Sequence, residues 1–255
     1  MPPPLPRIID HPSPSHDARP TDAGVDMVIL HYTGMPTGEA ALTRLCDPSA
    51  KVSAHYLIEE DGRLFRLVDE DRRAWHAGVS RWQDCDNCNH VSIGIELVNP
   101  GHEFGYRPFP SPQIDTVLAL LSDIQGRWSV PASRFVGHSD VAPARKADPG
   151  PLFPWDRLAR HGFGLWSARD GADPTPLART GDRGAQVAAM QERLGALGYG
   201  LKPSGLYDHE TEAVVRAFQM HWRPNSVTGV FDRGSGIILK DVLDRAQVRG
   251  GTGQF

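Results

Sequence analysis

The stretch from Phe135 to Leu152 reads FVGHSDVAPARKADPGPL and sets His138, Lys146 and Asp148 close together among prolines and glycines. That content predicts a loop rather than helix or strand, and loops of this kind carry chemistry. An imidazole and a carboxylate are two of the groups that zinc accepts, and a site with three protein ligands leaves a fourth position open to water. The best-placed third donor upstream is His31. It closes Val25-Asp26-Met27-Val28-Ile29-Leu30, a short, apolar, β-branched run in the manner of a buried strand, and is followed by Tyr32-Thr33-Gly34. The wide separation of His31 from His138 suits a catalytic metal assembled by a fold better than a structural clip of close-set Cys and His. Plainer readings stand beside this one: a core histidine at His31, a loop residue bonded to backbone at His138, and a cap before Pro149 at Asp148.

Four blocks, VILHYTG, KVSAHYLIEEDGRLFRLVDEDRRAWHAGVS, VSIGIELVN and VGHSDVAPARKADPGPLFPW, stand in this order within roughly residues 20 to 160. Together they resemble the zinc-dependent N-acetylmuramoyl-L-alanine amidases of the type-2 amidase family, related to peptidoglycan recognition proteins. The resemblance implies that His31, His138 and Asp148 hold one Zn2+ ion, while Glu96 and Lys146 carry the acid/base and electrostatic work. It also implies the substrate bond, which joins the lactyl group of N-acetylmuramic acid, or of its anhydro form, to L-alanine of the stem peptide.

Amide hydrolysis needs a nucleophile stronger than neutral water, a stabiliser for the tetrahedral oxyanion and a proton for the leaving amine. Zinc on two neutral imidazoles and a carboxylate can lower the pKa of its bound water to about 7 and polarise the carbonyl. Glu96 is then the group to take the water's proton and return it to nitrogen, and Lys146 can point its ammonium at the oxyanion. Without the motif, Glu96 is a carboxylate at a sheet edge and Lys146 a solvated loop residue. A ligand that is part sugar and part anionic peptide calls for aromatic walls and an arginine, for which Tyr32, Arg72, Trp75 and Arg145 are candidates. His76, inside the WHAG block, joins them, whereas His55 lies within a strand and reads as structural.

The elements that must position these residues form a mixed α/β domain. After the His31 strand, Glu39 to Leu45 has helical character, and Lys51 to Ile58 and Leu64 to Val68 flank an Asp61-Gly62 hairpin turn. Val91 to Val98 forms a further strand with Ile93, Ile95 and Leu97 on one face and Ser92, Gly94 and Glu96 on the other. The glycine there would let another group approach the sheet. Ser111 as N-cap and Pro112 at the first helical position open the clearest helix. Its Ile114, Val117, Leu118, Leu121, Ile124 and Trp128 form one stripe for packing on the sheet. Arg134 to Gly137 is a short strand that delivers His138 to the edge holding His31.

Composition bounds the rest. The chain has 255 residues and a net charge of −4, which offers no footprint for nucleic acid. No segment approaches the roughly 18 apolar residues that span a bilayer. The first twenty residues, MPPPLPRIIDHPSPSHDARP, carry prolines and no apolar h-region, so no export signal is visible. Cys46, Cys85 and Cys88 are too few for a disulfide framework. The C-x-x-C with His90 nearby reads as half a metal site or, more plainly, as a loop with two thiols open to oxidation to each other. Cys46 reads as a small buried side chain.

Residues 1–166 thus read as the catalytic domain and 167–178, SARDGADPTPLA, as a linker. Residues 179–255 read as a small three-helix unit. Asp182 is expected to cap a helix bearing Val187, Met190, Leu194 and Leu197, and Asp208 one bearing Thr211, Val214, Val215 and Phe218; Leu239, Val242 and Leu243 fit a third. Gly205-Leu206-Tyr207-Asp208 and Gly229-Val230-Phe231-Asp232 are similar turns. The unit resembles the peptidoglycan-binding domain found beside many wall hydrolases, which implies tethering of the enzyme to the polymer; the alternative is a bundle that packs on the catalytic domain. RGGTGQF reads as a frayed tail. Two functions compete, a zinc amidase and a muropeptide-binding protein of the same fold, and the presence of Asp148, Glu96 and Lys146 favours the enzyme. A phage-lysin setting would leave the chemistry unchanged. The partner is peptidoglycan or muropeptide, the chain is expected to be a monomer, and the tethering unit favours the envelope over the cytoplasm, to which the lack of a visible signal points.

Overall fold

The structure, a computed structural model, describes residues 3–21 and 23–250, the last three without their side chains. In chain order the elements are β1 (Ile8–Asp10), β2 (His16–Ala18), β3 (Met27–Tyr32), α1 (Gly38–Cys46), β4 (Tyr56–Ile58), β5 (Leu64–Arg66), β6 (Arg72–Ala74), β7 (Ser92–Leu97), α2 (Gly101–Phe104), α3 (Ser111–Arg127), β8 (Phe135–Gly137), α4 (His138–Val141) and α5 (Trp155–Arg160). Beyond them lie β9 (Pro176–Ala178), α6 (Ala185–Leu197), α7 (His209–Trp222), β10 (Phe231–Asp232) and α8 (Arg233–Gly250).

A mixed sheet organises the larger part, with strand order β1-β5-β4-β7-β3-β8. Strands β4, β7, β3 and β8 run parallel, while the β4–β5 pair across Asp61-Gly62 is antiparallel. Parallel central strands are buried on both faces, and β3 shows why its run is continuously apolar. Val28 and Leu30 face α3, whereas Met27 and Ile29 join a cluster on the opposite side. Helix α3 presents Ile114, Val117, Leu118, Leu121 and Ile124 to Ile93, Ile95 and Leu97, the stripe expected from its spacing. Truncation of Leu121 to alanine there would cost about 2–5 kcal/mol. Gln113 pins the helix start to the sheet by donating to the carbonyls of Ile58 and Val98. At the helix end, Trp128 and Arg127 donate to Glu70, which also accepts from Tyr56.

Several local expectations are corrected. Helix α3 takes Ser111 as its first residue, with Pro110 in extended backbone as the cap and Pro112 in the first turn, where no intrahelical amide is needed. The stretch after β8 is not all loop, since His138 opens the short helix α4, closed by Asp140 accepting from the Gly137 amide. Asp182 does not cap α6; Gly184 does, and the Asp182 carboxylate accepts from the Arg179 amide in the preceding turn. The 167–178 stretch ends in β9, which pairs with β10, and Ser167 is buried. Cys46 is only partly buried, at the end of α1. Cys85 and Cys88 are free thiols. The tail expected to fray, from Gly251 onward, lies outside the described residues.

The three helices α6, α7 and α8 form the smaller unit, and Asp208 caps α7 through the Thr211 amide. Asp232 does the same at the head of α8, through Ser235. The two similar turns share backbone as well as sequence, Gly205 having φ +72° and Gly229 φ +73°, a region that favours glycine. This unit is packed on the sheet domain. One apolar cluster runs from Met27, Ile29 and Val136 through Trp82 to Tyr199, Leu197 and Trp222.

Candidate metal centre

Three chain segments meet at the carboxyl ends of the parallel strands β3, β7 and β8, where open α/β sheets place their ligands. The register makes His31 the partner of Glu96 on β7, and Leu30 the partner of Gly137, so His138 follows directly beside His31. His31 shares the sheet face of Met27 and Ile29, and Glu96 that of Gly94. Asp148 arrives from the loop after α4. Its carbonyl accepts from the Ser139 amide at 2.9 Å, and the Tyr106 hydroxyl donates to Pro149 at 2.7 Å while accepting from Leu152 at 2.9 Å.

The donors converge closely. His31 Nδ1, His138 Nδ1 and Asp148 Oδ2 form a triangle with each side 3.0 Å, and all three residues are buried. The remaining ring nitrogens decide the protonation. His138 Nε2 faces the Ala77 carbonyl at 3.1 Å, an acceptor only, so it carries the proton and Nδ1 presents a lone pair. His31 Nε2 lies 3.0 Å from His76 Nδ1, and His76 Nε2 lies 3.2 Å from Ser92 Oγ. Ser92 spends its own proton on the Cys88 carbonyl at 2.6 Å, so His76 donates to Ser92 and His31 donates to His76. His31 Nδ1 is therefore a lone pair too.

Two lone pairs and a carboxylate oxygen thus face one another with no proton between them, an arrangement that a cation resolves. Donors bound to one small ion at about 2.0–2.2 Å necessarily lie some 3 Å apart, and two imidazoles with one carboxylate suit zinc. The residues fit the group. Burial, and next the neighbouring His138 ring, lower the pKa of His31 to about 4, keeping it neutral. Burial opposes ionisation of Asp148, but the flanking imidazoles outweigh it and hold the carboxyl far below its usual range.

Around the centre lies a cleft of about 430 Å³, walled among others by Tyr32, Trp75, Glu96, Arg145 and Lys146. Glu96 Oε2 is buried without a hydrogen-bond partner among the described residues. Burial, and then the charge of Asp148, push the Glu96 carboxyl well above its ordinary value, with Lys146 opposing. Arg145 donates to the carbonyls of Ala77 and Val79. Tyr32 is half-buried, its hydroxyl 2.9 Å from His102 Nδ1.

One expected cleft residue, Arg72, is placed elsewhere, whereas His76 lines the cleft. Arg72 lies on β6, paired with β2, with its Nε 3.3 Å from His16 Nδ1 and its side chain away from the metal centre. Its direction was not readable because strand β6 pairs with an N-terminal strand that no pattern announced. His76 is buried behind His31, and Gly94 makes room for it, since a Cβ there would lie 2.4 Å from His76 Cγ. His55 is structural as expected, accepting from the Gly94 amide at 2.9 Å. Arg44, not singled out in the sequence, lines the cleft one residue before the buried Leu45 on α1. Its only sequence signal was its place on the helix face that carries Ala41 and Leu45.

Comparison with known proteins agrees with this geometry. The N-acetylmuramoyl-L-alanine amidase family matches residues 20–151, and a family described as peptidoglycan-binding matches residues 183–234. The N-acetylmuramoyl-L-alanine amidase AmiD of Escherichia coli is 34% identical over 87% of this chain and 83% of its own length. The 1,6-anhydro-N-acetylmuramyl-L-alanine amidase AmpD of Enterobacter cloacae is 39% identical over 58% of this chain and 86% of its own. The structure of AmiD with anhydro-N-acetylmuramic acid-L-Ala-D-gamma-Glu-L-Lys superposes with a TM-score of 0.77 at 34% identity, covering 89% of this chain and 92% of that one. AmiD shares both the sheet domain and the helical unit with this protein, and with the family match spanning the segments that bring His31, Glu96, His138 and Asp148 together, the chain belongs to the N-acetylmuramoyl-L-alanine amidase family.

Proposed function

We propose that this protein is a zinc-dependent amidase that hydrolyses the bond between N-acetylmuramic acid, or its anhydro form, and L-alanine of the stem peptide. The observation that carries this reading is the triangle of His31 Nδ1, His138 Nδ1 and Asp148 Oδ2, three acceptors with no proton among them. Zinc bound there supplies a Lewis acid and a water acidified to a pKa of about 7.

The remaining work falls to the chain's own groups. Glu96, the register neighbour of His31, accepts the proton of the attacking water as its oxygen bonds to the amide carbon. When the carbon–nitrogen bond breaks, the same carboxyl returns that proton to the departing L-alanine nitrogen. Its unpartnered Oε2 and raised pKa suit a group that must hold a proton between the two steps. The Lys146 ammonium stabilises the oxyanion. Tyr32 and Trp75 offer aromatic walls for the sugar, and Arg44 and Arg145 offer charge to the stem-peptide carboxylates. The 179–255 unit tethers the enzyme to the wall polymer and makes the target bond effectively intramolecular.

The test is mass spectrometry of products from purified peptidoglycan and from anhydro-muropeptide. Free stem peptide beginning at L-alanine is expected, and it is expected to vanish on chelation or with His138→Ala. A stoichiometrically zinc-loaded protein that releases no peptide from either substrate would leave a muropeptide-binding protein in its place.

A further inference from the structure

Asp140 is the most consequential buried charge outside the metal triangle. It is 1% exposed, two residues beyond His138 on α4. Among the described residues of its own domain its carboxylate receives one bond, from the Gly137 amide at 2.7 Å. Its two side-chain partners both come from the helical unit: His221 on α7, Nδ1 to Oδ2 at 2.7 Å, and Tyr199 after α6, hydroxyl to Oδ1 at 2.8 Å. His221 is itself fixed, stacked 3.8 Å from Trp155 of the sheet domain and 3.7 Å from Trp222. Tyr199 packs edge-on against Trp82 at 5.0 Å.

The geometry links this lock to the ligands. Gly137 and Ser139 flank His138; the Gly137 amide is held by Asp140, and the Ser139 amide by the carbonyl of Asp148. A carboxylate this deeply buried is costly when left with a single donor, and the helical unit supplies the donors that complete it.

We infer that the C-terminal helical unit is a structural part of the metal centre, with His221 and Tyr199 acting as positioning residues that hold Asp140 and, through it, the turn presenting His138. This rests on the zinc reading above and gives the unit a role separate from wall binding. Groups that orient metal ligands at one remove are worth about 10- to 100-fold in metal affinity, and here a loss near the lower end, about tenfold, is expected.

The experiment is equilibrium competition for zinc between a colorimetric chelator and the full-length protein, with kcat and KM measured on anhydro-muropeptide. His221→Ala should bind zinc about tenfold more weakly and lose kcat with KM kept. Tyr199→Phe, which removes one hydroxyl, should lie between it and the parent. His221→Asn, whose amide nitrogen can donate where Nδ1 does, should recover most of the affinity, a rescue that a purely structural role does not predict. If His221→Ala does not fold, the other two variants decide. Parental zinc affinity in folded His221→Ala or in Tyr199→Phe overturns the inference, as does a folded His221→Asn no better than His221→Ala. A parent protein that takes up no zinc sinks the amidase reading itself, whereas a zinc-loaded, active parent with indifferent variants sinks only this one.

Discussion

His31 Nε2 lies 3.0 Å from His76 Nδ1, the opposite side of the His31 ring from the atom that faces Asp148. This contact fixes the tautomer that frees Nδ1 for a metal, and the Ser92 hydroxyl and Cys88 carbonyl behind it fix His76 in turn. His76→Asn keeps a planar polar group of smaller volume and removes the ring acceptor, so zinc affinity should fall about 10- to 100-fold while the fold persists. Chelator competition measures the affinity and circular dichroism the fold. An unchanged affinity would mean that His31 takes its orientation from the sheet alone.

Gly94 is the other half of that arrangement. The His76 ring occupies the space above it, with Cγ 2.4 Å from where a Cβ would stand. Gly94→Ala must push the ring, costing about 1–3 kcal/mol of stability as overpacking does. Zinc affinity should fall with it, because the ring that moves is the one bonded to His31. Thermal melts with and without zinc separate the two effects, and a larger loss is expected in the zinc-loaded protein.

Acid should loosen the metal-free protein through its buried imidazoles before carboxylates of ordinary pKa protonate, with the raised Glu96 carboxyl opposing part of that loss. Burial, and next the charge of Arg19, lower the pKa of His55 from 6.5 to about 3. The unfolded chain therefore takes up a proton at higher pH than the folded one. The contribution is fully present above 6.5 and is lost as pH falls toward 3, at up to about 1.4 kcal/mol per pH unit for each such imidazole. His31, lowered to about 4, adds to it in the same direction. Urea titrations at about pH 7 and about pH 5 should show the midpoint falling; equal midpoints would contradict neutral burial of these rings.

Much of this is legible in the sequence, for reasons that differ between parts. The β3 run and the α3 stripe carry their own periodicity, and both fold as read because burial leaves them little choice. His31, His138 and Asp148 were found by donor chemistry together with the family's blocks. What stayed hidden was direction and partnership. No pattern told that His76 turns inward behind His31, that Arg72 turns away on β6, or that Asp140 awaits His221 from a unit some eighty residues later. Arg44 was hidden because one exposed arginine on a short helix resembles any other.

That arginine gives a further expectation. Arg44 is exposed on α1 at the cleft wall, where the anionic stem peptide would lie. Arg44→Ala should raise KM for the peptide-bearing substrate and leave kcat near the parental value, the pattern of lost uniform binding. Steady-state kinetics decide it. A fall in kcat with KM kept would place Arg44 in the chemistry instead.

Glu96 joins activity to stability with opposite signs. Its Oε2 is buried without a partner, and burial followed by the charge of Asp148 raises its pKa well above 4.5. A carboxyl raised in the folded state stabilises below its unfolded pKa, and that contribution is lost as pH climbs through the folded value. In the metal-free protein at neutral pH the ionised form is therefore a burden on the fold. Glu96→Gln keeps the shape and removes the charge, so the metal-free variant should melt at a higher temperature than its parent at about pH 7, with the gap closing toward about pH 4. Turnover should meanwhile fall by about 10²- to 10⁴-fold with zinc retained, since an amide cannot shuttle the proton. A calorimetric scan, a zinc assay and product analysis on one preparation read all three. Retained turnover removes Glu96 from proton transfer, and a lower melting temperature shows that the carboxylate is better solvated than its surroundings indicate.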